Sequence, residues 1–267
     1  MNLFFEVQFM KLKERLWIWG QDAGSHDSYR LPGHNTVGPM EGAKILGIPN
    51  CCRVVMHGSP EPPFDGETAR LAAGFDRIVW SGIGDAGSHR NDGGGDDVAE
   101  VIRQAKLCSK VKGCVLDDFF KADGPRITRE RMAQIVEKLH DAGLFLWMVS
   151  YDLDWPPLAA YKDFFDGITL WTWSGKDLFS LDERLLRLRK MLRNDQQAVA
   201  GCYLWDYAAK APLTREMMEE QCRVFARRLA DHTVSDVIVC SNCLLGLGIE
   251  AETTMKEWIA RNGDTEL

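Results

Sequence analysis

Eight short apolar, β-rich runs recur along the whole chain, each followed by a helical pattern, and that alternation limits the architectures open to it. The runs span residues 15–20 (RLWIWG), 51–57, 77–81, 113–117, 144–150, 167–173, 198–205 and 236–240. They are near-continuously apolar and not strictly alternating, as strands of a parallel sheet covered on both faces are. The clearest helices are residues 129–141, entered through Thr128 and closed by Gly143, and 215–230, with Thr214 as N-cap. Two more are 181–193, opening on a Ser180–Glu183 capping box, and 251–261, followed by Gly263. Shorter helical patterns fall at 40–46, 67–73, 97–108 and 157–164. Eight strand–helix units over 267 residues predict one α/β domain, a single (β/α)8 TIM barrel, with residues 1–10 as an N-terminal extension. An open doubly wound sheet fits less well. No GxGxxG follows an early strand, and the glycines at 93–95 match neither a dinucleotide turn nor a phosphate-binding loop.

Composition narrows the function classes. Hydrophobic residues at 45% and charged residues at 27% describe an ordinary globular chain. A net charge of −7 argues against a nucleic-acid partner, because phosphate affinity needs clustered Lys and Arg. No apolar run reaches membrane-spanning length, so no membrane partner is expected. The first ten residues are apolar, but they carry Glu6 and lack a basic stretch and a small-residue cleavage site, unlike a secretory signal. Eight cysteines form no paired CxxC arrangement; Cys240 and Cys243 make one lone CxxC. A cytoplasmic protein with free thiols is the expectation.

In a barrel of this kind the site is built where strands run into βα loops. Those positions hold Gln21, Asp22, Ser25 and His26 after the first strand, His57 after the second, and Asp85, Ser88 and His89 after the third. Asp117 and Asp118 end the fourth, and Tyr151 and Asp152 the fifth. Trp171 and Trp173 end the sixth, Trp205, Asp206 and Tyr207 the seventh, and Asn242 follows the eighth. Of nine Trp, seven fall in the predicted strands; alternation puts Thr169, Trp171 and Trp173 on one face and the aliphatic residues of that strand on the other. Trp17 and Trp147 suit the core. Trp173 and Trp205, beside polar residues, suit stacking against the C–H face of a sugar ring.

The carboxylates point to glycosidic chemistry, which needs one protonated acid and one ionised nucleophile or base. Asp118 and Asp206 are the expected pair, with Asp152 as an alternative acid; Asp117 and Asp123 suit capping or support. The pentapeptide Asp22-Ala-Gly-Ser-His26 recurs as Asp85-Ala-Gly-Ser-His89, both copies following a predicted strand. His26, His57 and His89, with Gln21, Asn242, Tyr207 and Asp117, are read as hydrogen-bonding a sugar or oligosaccharide. No HxH or HExxH spacing supports a metal, and no cofactor is expected.

Residues 113–120 (GCVLDDFF) and 201–207 (GCYLWDY) give the chain its resemblance. It resembles bacterial (β/α)8-barrel proteins of the glycoside-hydrolase type, and the resemblance implies catalytic carboxylates at the ends of strands 4 and 7, here Asp118 (or Asp117) and Asp206. No predicted strand ends in Glu, and the chitinase-type DxxDxDxE is absent. Two other readings fit the same residues. One is a metal-dependent sugar isomerase, epimerase or hydrolase using His26, His57 and His89 with Asp118. The other is a carbohydrate-binding barrel without catalysis.

Overall fold

A computed structural model describes residues 10–122 and 124–267. The predicted extension at residues 1–10, apart from Met10, and Asp123 with its expected supporting role lie outside the described residues. Eight parallel strands close into a barrel: β1 Leu16–Gly20, β2 Asn50–Arg53, β3 Arg77–Ile83, β4 Val111–Leu116, β5 Phe145–Ser150, β6 Gly167–Leu170, β7 Gln197–Tyr203 and β8 Asp236–Cys240. Each pairs with its neighbours in sequence, and β1 closes the ring against β8, with Trp17 opposite Ile238 on one side and Asn50 on the other. The helices are α1 Pro39–Leu46, α2 Asp65–Ala72, α3 Val98–Leu107, α4 Arg129–Asp141, α5 Pro156–Tyr161, α6 Leu181–Met191, α7 Arg215–Ala230 and α8 Glu250–Asn262. This is the (β/α)8 barrel that the alternation predicts. Among the described residues no helix is long and apolar enough to cross a membrane.

Local chemistry sets the ends of these elements. Thr128 and Thr214 accept backbone N–H bonds from Arg131 and Met217 and so cap α4 and α7. The Ser180–Glu183 capping box does not form: a 3-10 turn at Gly175–Ser180 runs into α6, and the Ser180 hydroxyl donates to the Asp177 carbonyl at 2.8 Å. Three predicted strands overrun the sheet. β2 stops at Arg53, β6 at Leu170 and β7 at Tyr203, so Trp171, Trp173 and Trp205 lie beyond the barrel strands, which hold Trp17, Trp19, Trp80 and Trp147.

The lower barrel is plugged by indoles with polar handles. Trp17 and Trp147 meet edge to face at 5.3 Å; Trp17 Nε1 donates to Asp236 Oδ1 at 2.8 Å, and Trp147 Nε1 to Gln197 Oε1 at 2.7 Å. The Arg77 guanidinium lies 4.6 Å from the Trp17 ring and 3.7 Å from Asp236. One layer higher, Trp19 meets Trp171 at 5.2 Å, and Trp171 meets Tyr203 at 5.0 Å. That aromatic layer is the floor of the space above. All eight cysteines are free thiols.

Candidate active site

At the carboxyl ends of the strands lies a cavity of about 310 Å³. Its floor is Trp19, Trp171, Val149 and Cys240; its wall is Tyr29, Tyr151, Trp173, Tyr203 and Tyr207; its polar groups are Gln21, His26, Asp85, Asp117 and Asp118, with Met56 between them. Burial pushes the Cys240 thiol well above its ordinary range, so it is a packing group and not a nucleophile.

The end of β4 supplies two of the carboxyls. Asp117 is 6% exposed, and its N–H donates to the Ile83 carbonyl at 3.2 Å, which continues the β3–β4 pairing. The chain then turns sharply: Asp118 adopts φ 40°, a left-handed conformation that Asp and Asn tolerate better than other side chains. That turn aims the Asp118 N–H at Asp117 Oδ1 (2.9 Å) and presents the Asp118 carboxylate to the Ala86 N–H at 2.9 Å and the Tyr151 hydroxyl at 3.3 Å. Burial first, then the charges of Asp118 and Asp85, raise Asp117 well above the ordinary carboxyl range. Asp117 therefore keeps its proton where an exposed carboxyl has lost it. Behind it the buried Arg126 guanidinium donates to the carbonyls of Gly84 (2.5 Å) and Asp117 (3.3 Å), tying the ends of β3 and β4 together.

The third carboxyl, Asp85, is held from several sides. Its Oδ1 accepts from the His57 N–H at 2.8 Å and the Ser88 hydroxyl at 2.7 Å, and its Oδ2 from the Gly87 N–H at 3.1 Å. Across the cavity the Tyr207 hydroxyl and His26 Nδ1 share a 2.7 Å hydrogen bond. Burial lowers His26 to about 4, so it is neutral at pH 7. Tyr151, Tyr203 and Tyr207 are all raised well above an ordinary phenol, first by burial. At neutral pH these hydroxyls keep their protons.

Of the residues given a role from sequence, the cavity brings together Asp117, Asp118, Gln21, His26, Trp171, Trp173 and Tyr207. The others sit elsewhere. Asp206 pairs with Ala211 in a two-residue hairpin and accepts the Ala209 N–H at 2.9 Å; it and the buried Trp205 are outside the cavity lining. Asp152 points to solvent, where it accepts the Asp154 N–H at 2.8 Å. His57 and His89 are exposed, His89 bonding Asp92 at 3.0 Å. Asn242 is a buried brace: its Oδ1 accepts the Gln21 N–H at 2.8 Å, and its Nδ2 donates to the carbonyls of Gln21 (3.0 Å) and Val37 (2.7 Å). Among the described residues, no three His, Cys, Asp or Glu side chains gather as a metal-ligand set. Two strand-end positions read from the sequence without an assigned role, Asp85 and Tyr151, also line the cavity, and beyond them it adds Tyr29 and Tyr203. Tyr203 closes β7, so position alone could find it. Tyr29 lies deep in the long segment 21–38, where nothing in the sequence marks it.

No known family model matches this sequence, and no curated protein is significantly similar to it. Solved structures are similar in fold. A candidate α-L-fucosidase from Bacteroides thetaiotaomicron superposes with a TM-score of 0.56 at 10% identity, covering 96% of each chain. A chitinase from Chromobacterium violaceum gives 0.55 at 9% identity, over 92% of this chain and 99% of that one. Tryptophan synthase from M. tuberculosis gives 0.50 at 13% identity, over 95% and 94%. Names so different on one fold leave the reaction to be argued from the cavity.

Proposed function

We propose that this barrel is a glycosidase, with Asp117 as the general acid and Asp118 as the carboxylate that meets the anomeric carbon. The observation that carries the reading is the pairing of a carboxyl held protonated with a neighbouring carboxylate acceptor in one aromatic-walled cavity. Glycosidic cleavage asks for that division of labour. Asp117 gives its proton to the glycosidic oxygen as the C–O bond breaks. Asp118 stabilises the positive charge that develops on the sugar, and a water adds its hydroxyl to the anomeric carbon and returns its proton to the Asp117 carboxylate. Tyr151 steadies the Asp118 carboxylate, while Trp173, exposed over 41% of its surface, offers a stacking face. Relative to the expectation from sequence, Asp118 keeps its role, and Asp117 takes the acid role expected of Asp206 or Asp152.

A panel of aryl glycosides tests this. Wild type is expected to turn over at least one of them. Asp117→Asn and Asp118→Asn should each lower kcat by roughly 10²-fold or more, while Asp206→Asn stays within a few-fold of wild type. Asn tolerates the left-handed backbone at 118, so that substitution removes charge without disturbing the turn. Full activity in either of the first two variants, or no turnover on any glycoside, sinks the assignment.

A further inference from the structure

Building on the glycosidase reading, we infer that the sugar ring received in this cavity carries a free, protonated amino group. Three observations converge on it. The first is the balance of charge. Among the described residues lining the cavity there is no Lys or Arg, and its single base, His26, is neutral at pH 7, whereas Asp85, Asp117 and Asp118 all reach the space. A uronate or phosphorylated sugar would face the Asp85 and Asp118 carboxylates with no cationic side chain to offset them.

The second is an acceptor with nothing to accept. Gln21 is 3% exposed, and its Oε1 is buried with no hydrogen-bond partner. Its Nε2 donates to the Met56 thioether at 2.9 Å, a partner that can only accept, and the amide oxygen is left over. A buried carbonyl oxygen without a donor costs free energy that a ligand N–H would recover. An ammonium offers three donors and no acceptor, which suits the Gln21 amide oxygen and the Asp85 and Asp118 carboxylates of the lining.

The third is an aromatic cage. The Trp173 ring has Tyr207 stacked at 5.0 Å, Tyr151 and Tyr203 edge-on at 6.0 Å, and Tyr29 at 6.3 Å. The face that Trp173 leaves exposed at this wall can attract a cation. A neutral hydroxyl could also satisfy Gln21 and donate to the carboxylates, but it carries no positive charge for them or for the exposed Trp173 ring to attract.

The test is calorimetric binding of matched sugars at a pH where the amine is protonated. Glucosamine, galactosamine and mannosamine are each compared with the parent hexose and the N-acetylated form, and glucuronate is included. At least one amino sugar is expected to bind about tenfold or more tightly than both its parent and its N-acetyl form, and glucuronate should not bind. Gln21→Leu and Trp173→Leu should bring that ratio toward one. Parent sugars binding as tightly as their amino forms in every pair, or a preference for N-acetylated or acidic sugars, overturns the inference. Neutral-sugar binding with glycoside turnover would do so while leaving the glycosidase reading intact. Failure of every sugar to bind overturns both. The wild-type panel decides the matter even if a variant fails to fold.

Discussion

Asp117 and His26 share one cavity and one cause, yet their ionisation moves in opposite directions. Burial penalises charge, so it holds the carboxyl protonated and the imidazole neutral. The consequences for stability have opposite signs as well. Between the ordinary carboxyl value of 3.8 and the raised value of Asp117, the folded state binds the extra proton, so stability falls as pH rises through that window. For His26 the unfolded state binds the extra proton between about 4 and 6.5, so stability is lost as pH falls through that range, by up to about 3 kcal/mol. Urea melts of two variants across pH 4–9 separate the two. Asp117→Asn, which mimics the neutral carboxyl, should gain on wild type as pH rises; His26→Gln should flatten the loss between pH 6.5 and 4. A pH-independent difference in either variant would show that the group is not held in the stated form.

At the scale of elements, two identical pentapeptides do different work because their surroundings differ. In the first copy Asp22 turns outward to the Arg53 guanidinium and the Ser59 hydroxyl, and His26 enters the cavity. In the second, Asp85 enters and His89 turns away to Asp92. Sequence identity carries the turn chemistry but not which side chain faces inward; that is set by how each loop leaves its strand. Asp22→Asn should therefore cost roughly 1–3 kcal/mol of stability, since the buried Arg53 keeps Glu67 as its one carboxylate partner among the described residues, beside the carbonyls of Gly20 and Val54, and leave kcat near wild type. Asp85→Asn removes a negative neighbour of Asp117, so Asp117 ionises at lower pH and the basic limb of the kcat/KM profile moves down. If Asp22→Asn moves that limb instead, the two copies have been assigned the wrong way round. The same distinction explains what was legible in advance. Strand–helix alternation and the caps at Thr128 and Thr214 follow from local chemistry, and Asp117–Asp118 follows from its place at the end of β4. The overrun of β6 and β7 follows because an apolar run reports burial, and Trp171, Leu204 and Trp205 just past the strand ends are as buried as a strand. Asp206 lies outside the barrel wall that the pattern predicts for it: Trp205 and Asp206 pair in a hairpin with Ala211 and Pro212.

Across the whole molecule, the aromatic residues divide by height. Below, Trp17 and Trp147 close the barrel with every indole N–H paired to a buried or half-buried acceptor, the expected character of the stability face. Gly201 sits beside the Trp171 indole, where a side chain would overlap it, so close backbone approach lets that ring lie across the barrel as a floor. Above it Trp173 is exposed, touched by four tyrosines, and contributes little to the core. Truncating the two ends should therefore give opposite results. Trp17→Ala opens a cavity in the plug and deprives the buried Asp236 of its indole donor; a loss of roughly 3–5 kcal/mol in a urea melt is expected. Trp173→Ala should cost less stability than Trp17→Ala while abolishing most sugar binding, because its ring, though stacked on Tyr207, is 41% exposed and lines the cavity. Equal destabilisation by the two substitutions would make the mouth a continuation of the core, and the space above the Trp19–Trp171 layer a packing defect and not a ligand site.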